Sequence, residues 1–122
     1  MAGDRPSADE LLEAVQEFLL EDAMPALDGL RRFHARVAAN AIAIARREMA
    51  LGPGFRAAER SRLIALLGQD GDLATLTIEL CRRIEAGEAA GDAVLRHLRQ
   101  TAREKLEIAN PGYLGDDAGL RP

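Results

Sequence analysis

Apolar residues recur along this chain at intervals of three and four, and no segment alternates with period two. Leu11, Leu12, Val15, Phe18 and Leu19 mark one side of a first helix, with Glu10, Glu13, Glu17 and Glu21 opposite them. Ser7, followed three positions later by Glu10, is a capping-box signature, so this helix is predicted over 8–22. Pro25 and the Asp28–Gly29 pair interrupt the pattern, which makes 23–28 a turn.

A second stripe runs through Leu30, Phe33, Val37, Ala41, Ile44 and Leu51 and predicts the longest helix, over 29–51. Beside it lies a strip of mostly small residues, His34, Ala38, Ala41 and Ala45, where another helix can approach closely. Arg32, Arg36, Ala39, Ala43, Arg46 and Arg47 fall on the expected outer side. Gly52-Pro53-Gly54 is expected to stop this helix, since proline has no N–H with which to continue the ladder.

A third helix is expected over 55–67, with Phe55, Leu63, Leu66 and Leu67 inward. The turn at 68–72 then supplies Asp72 as the cap of a fourth helix, which carries Leu73, Leu76, Leu80, Cys81 and Ile84 inward. Asp92 is the next expected cap. A fifth helix over 93–109 should bury Val94, Leu95, Leu98, Ala102 and Leu106, and Asn110-Pro111 ends it. The fold expected is all-α: about five helices in a mostly antiparallel bundle with a long second helix. A single domain over 1–114 is expected, with Tyr113 and Leu114 docking on the bundle and 115–122 a flexible tail.

Charge sharpens this picture. Residues 1–28 hold eight acids against Arg5, a net of −7, whereas 29–64 hold eight arginines against Glu48 and Glu59, a net of +6. Such asymmetry points to pairing within or between chains, or to a local anion site. The whole chain of 122 residues carries −4, with three Phe, one Tyr and no Trp. That composition argues against nucleic acid, which needs basic surface and aromatic platforms. Cys81 is the only cysteine, so neither an intrachain disulfide nor a cysteine-based zinc site is available. The polar start "MAGDRPSADE" lacks the apolar core of a secretory leader, and the longest apolar run, "AANAIAIA", is far short of a membrane span. A cytoplasmic protein without a membrane partner is expected.

The chemistry-bearing motifs are few. "GPGF" lacks the lysine and preceding strand of a phosphate loop, and there is no nucleophile elbow or HExxH. A two-histidine metal site would have to unite His34 with His97, which nothing in the spacing supports, so no metal or cofactor is expected. The candidate ligand-binding cluster is His34, Arg36, Asn40 and Arg47. Arginine forks and an asparagine amide on one edge suit a phosphate or carboxylate. Against this, a histidine and an asparagine near a helix seam are more often structural, as partners of a carbonyl or as keys to helix register. The arginines in turn can pair with the glutamates of the first helix.

Two blocks carry a family resemblance: "RPSADELLEAVQEFLLEDAMPALDGLRRFHARVAANAIAIARREMALG" at 5–52 and "REKLEIANPGYL" at 103–114. They resemble a family of small, uncharacterised all-helical bacterial proteins, a domain of unknown function. Its members are encoded beside, or fused to, aminoglycoside-phosphotransferase-like kinases and acyl-CoA dehydrogenases. The resemblance implies an accessory role and carries over no catalytic residue. The function expected is therefore a non-catalytic accessory or interaction domain, bound to such a kinase or dehydrogenase or to a second copy as a homodimer. The alternative is a small-ligand binder or enzyme using His34, Arg36, Asn40 and Arg47 on an anionic acyl or phosphoryl compound.

Overall fold

The computed structural model describes residues 4–115, and among these there is helix and no strand. The expected tail therefore lies, from residue 116 onward, outside the described residues. The chain divides between Ala50 and Leu51 into two compact units.

The first unit is a helical hairpin. Helix α1 spans Ala8–Glu17 behind the expected capping box, in which Glu10 N–H donates to Ser7 Oγ at 3.1 Å and Ser7 N–H to Glu10 Oε1 at 2.9 Å. The helical path does not stop at Asp22. It widens into a π-helical segment, Phe18–Ala23, in which Met24 N–H reaches back to Leu19 O, and then continues as α2, Met24–Ala26. Pro25 lies in the first turn of α2, directly after the π-helical segment, and brings no N–H to the ladder there. Leu27 is extended and Gly29 takes φ +56°, a left-handed conformation that glycine adopts without strain, and α3 begins there.

Helix α3 runs Gly29–Leu67, so the two helices expected on either side of Gly52-Pro53-Gly54 are one helix of 39 residues with Pro53 inside it. Proline in a helix interior removes one hydrogen bond and costs about 3 kcal/mol, which a long helix can absorb. The breaker signal is still visible in the structure, because the division between the two units falls directly before it.

The face of α3 turned toward α1 is not the one its large apolar residues mark. Arg46 Nε and Nη2 donate to Asp9 at 2.8 and 3.1 Å, and Nη1 donates to Gln16 Oε1 at 3.0 Å. Ala35 and Ala39, on the same side of α3 as Arg46, are buried. Leu30, Phe33 and Val37 are 68, 57 and 50% exposed. Thus Ala39 and Arg46 of the expected outer side face inward, whereas Leu30, Phe33 and Val37 of the expected core stripe face out; Arg32 and Arg36 are exposed as expected, and Ile44 is half-buried. Two helices touch along one line, and alanines allow the closest approach there. A hairpin has no third element to cover a stripe of large side chains.

The second unit has an aliphatic core. Leu63 and Leu67 of α3 meet Leu76 and Leu80 of α4, Leu73–Glu85, with Ile64, Leu73, Ala89 and Val94 packed around them. Asp72 caps α4 as expected, accepting from Thr75 N–H at 2.8 Å, and this hydrogen bond holds its carboxyl below the usual carboxylate range. Arg83 donates to Leu67 O at 3.1 Å and so satisfies a terminal carbonyl of α3. Glu79 accepts from both Arg82 and Arg83, which lowers its carboxyl to about 2. Cys81, expected inward, is exposed, one position past the buried Leu80. Helix α5 spans Asp92–Ala109, with Gly91 rather than Asp92 at its cap, and α6 spans Pro111–Leu114. Tyr113 does not dock; it is 71% exposed. No described helix is long and apolar enough to cross a membrane.

Candidate functional site

All four residues of the predicted cluster lie on α3, spread over 13 positions and so about 20 Å of helix. His34, Arg36 and Asn40 are exposed and Arg47 is half-buried. The His34 ring leans against Phe33, centroids 5.9 Å apart and tilted by 53°. The expectation of His34 in a close helix seam is therefore corrected: it lies on the side of α3 that the hairpin leaves open. Arg36, Asn40 and Arg47 share an edge at helical spacing, while His34, two positions from Arg36, points away from it. Arg46, expected on the outer side, instead joins α3 to Asp9 and Glu13 of α1.

The densest polar constellation lies in the second unit. Four α5 residues, His97, Gln100, Thr101 and Glu104, fall at i, i+3, i+4 and i+7 and so share one side of the helix. Arg62 of α3 reaches all but Gln100. Its Nε donates to His97 Nδ1 at 3.2 Å, and Nη2 donates to Thr101 Oγ1 at 3.0 Å and to Glu104 Oε1 at 3.2 Å. Gln100 Nε2 donates to Glu104 Oε2 at 3.1 Å. His97 and Glu104 are only 4 and 8% exposed.

Because the guanidinium can only donate, His97 Nδ1 must be the acceptor and its proton sits on Nε2. Burial, and then the neighbouring Arg62 charge, push the imidazole below its ordinary value, against weaker opposite pulls from Glu59 and Glu104. Along one side of this network runs a shallow groove of about 370 Å³, bordered by Arg62, Leu66, Ala93, Arg96, His97 and Gln100. The network satisfies His97 at Nδ1, Thr101 at Oγ1 and both carboxylate oxygens of Glu104. The carboxylate is held by Arg62 and Gln100, the hydroxyl oxygen accepts from Arg62, and among the described residues no carboxylate is hydrogen-bonded to the histidine as a general base would require. It is suited to fixing α5 against residues 51–67 of α3. Among the described residues no group of three or more His, Cys, Asp or Glu could hold a metal ion.

The largest side chains of α5 do not mark its inward face, so periodicity alone does not reveal this network. Leu95 and Leu98, expected inside, are 46 and 43% exposed. The stripe that is buried or half-buried is Val94, His97, Thr101, Glu104 and Ile108. Its spacing of three and four was present in the sequence, but three of its five members are polar. Only the matching donors of Arg62, 35 positions earlier than His97, make that burial tolerable.

The described residues are all-helical, and Arg62, His97, Thr101 and Glu104 share one hydrogen-bond network within the second unit. The chain belongs to the family described as a domain of unknown function, DUF6285, whose family model matches residues 25–113. None of the curated proteins and none of the solved structures compared with the chain matches it.

Proposed function

We propose that this chain is a non-catalytic helical accessory domain that acts by binding another protein. One observation carries the reading. Among the described residues the buried core contains four leucines, whereas fourteen large apolar residues are exposed. Single exposed apolar residues are ordinary, but here they recur at helical spacing on both α1 and α3, as an interaction face does. The Arg62–His97–Glu104 network supports the same role, since it stiffens the second unit without leaving a reactive group poised.

The family resemblance supplies the class of enzyme served, a phosphotransferase-like kinase or an acyl-CoA dehydrogenase. Co-expression of the full chain with a phosphotransferase-like kinase, and separately with an acyl-CoA dehydrogenase, from the same genome tests this. The expected result is co-elution in size-exclusion chromatography as one species larger than either protein alone. Separate elution of chain and enzyme, for both classes, overturns the accessory role.

A further inference from the structure

We infer that the groove beside the Arg62–His97 contact binds a small carboxylic acid with an apolar tail, its carboxylate held by His97 and Arg96. The site lies wholly in the second unit and is independent of the protein-binding role proposed above. Ala65 and Leu66 border the groove from α3, and Ala93, Arg96, His97 and Gln100 border it from α5, where they share one side at i, i+3, i+4 and i+7. The histidine is buried, its Nδ1 accepts from Arg62, and its Nε2–H has no acceptor among the described residues. A buried N–H is costly to leave without an acceptor, and His97 borders an open groove from which a ligand oxygen can supply one.

Charge and lining select the ligand. Of the two arginines at the groove, Arg62 is committed to Glu104, whereas Arg96 has neither ion pair nor hydrogen bond among the described residues. Glu59 and Glu104, the acids that act on His97, do not border the groove. Gln100 commits its amide N–H to Glu104. One neutral buried donor and one arginine suit the two oxygens of a single carboxylate. A phosphate would bring a second charge that one arginine does not match. The rest of the border, Ala65, Leu66 and Ala93, offers only hydrocarbon, so the body of the ligand is apolar. The groove volume is about 370 Å³. A cavity of about 150 Å³ takes benzene, so a tail of roughly five to eight carbons fits.

Titration of the nitrogen-15-labelled full chain with hexanoate at pH 7.5, followed by amide and imidazole NMR shifts, tests this. Saturable shifts are expected within 62–66 and 93–100 and at the His97 Nε2 resonance, with a Kd of about 1 mM or tighter. Hexanamide has the same shape without the charge, acetate lacks the tail, and inorganic phosphate lacks it too. Each should bind at least about fivefold more weakly than hexanoate. Arg96→Ala and Ala65→Leu alter exposed positions, so helicity by circular dichroism should persist. The first should weaken hexanoate at least about fivefold, and the second, which fills the groove, should abolish the shifts. No saturable shift in wild type up to about 10 mM hexanoate overturns the inference and leaves water as the acceptor for Nε2–H. So do shifts that survive unchanged in either variant, and so does equal affinity for hexanamide, acetate or phosphate.

Discussion

Arg62 donates through Nε to Nδ1 of His97 at 3.2 Å, and this contact fixes the histidine as a neutral acceptor inside the second unit. A proton arriving at Nδ1 would remove the acceptor and set two cations against each other. His97 in the fold lies below its ordinary 6.5, so the unfolded chain binds that proton more readily. The corresponding stability is complete above about pH 6.5 and is lost as pH falls through the lower folded value. Urea denaturation at steps between pH 7.5 and 5.5 should therefore show a falling midpoint for wild type. His97→Gln should flatten that dependence within the same window, above the range where most carboxylates titrate.

Glu104 is the counter-charge of the same network, buried beside the half-buried Arg62. Glu104→Gln keeps the shape and removes the charge, leaving Arg62 with neutral partners only. A loss of about 2–4 kcal/mol in unfolding free energy is expected, larger than any surface ion pair supplies. Chemical denaturation at pH 7.5 measures it, and a loss below about 1 kcal/mol would make the network peripheral to stability.

Leu76 is fully buried between Leu63, Leu67 and Leu80. Leu76→Ala removes three carbons from the best-packed point of the chain and should cost about 3–4 kcal/mol. Ile78, two positions later, is 70% exposed, and Ile78→Ala should change unfolding free energy by less than about 0.5 kcal/mol. Thermal and urea unfolding of the pair separate the core side of α4 from its open side.

Gly54 lies inside α3, and a methyl group added there meets nothing within 4 Å. Gly54→Ala should therefore raise stability by about 0.5–1 kcal/mol through helix propensity and a less flexible unfolded chain. A decrease would mean that the helix is not continuous through this segment in solution.

These sites also show what the sequence could and could not reveal. The caps at Ser7 and Asp72 and the leucines of the 63–80 core were legible, because each depends on local spacing and on side chains of one kind. The inward face of α3 was not. Periodicity identifies an apolar stripe but not what will cover it, and in a two-helix hairpin the alanines of the opposite side make the nearer contact. Pro53 carries an end signal because its local cost is real. The length of helix on both sides outweighs that cost. His97 and Glu104 were passed over as core residues, since a polar residue becomes buriable only when a partner distant in sequence supplies its hydrogen bonds.

Pro53 gives α3 a missing rung, and the consequence is one of cooperativity. The proline brings no N–H to the ladder at the place where the chain divides between its two units. Backbone amides within 55–67 belong with the leucine core and should exchange with deuterium only through its global opening. Amides within 30–49 should open separately, at a rate set by whatever covers Phe33 and Val37. A single continuous helix would then report two different free energies of opening, one on each side of a residue that has no amide to exchange.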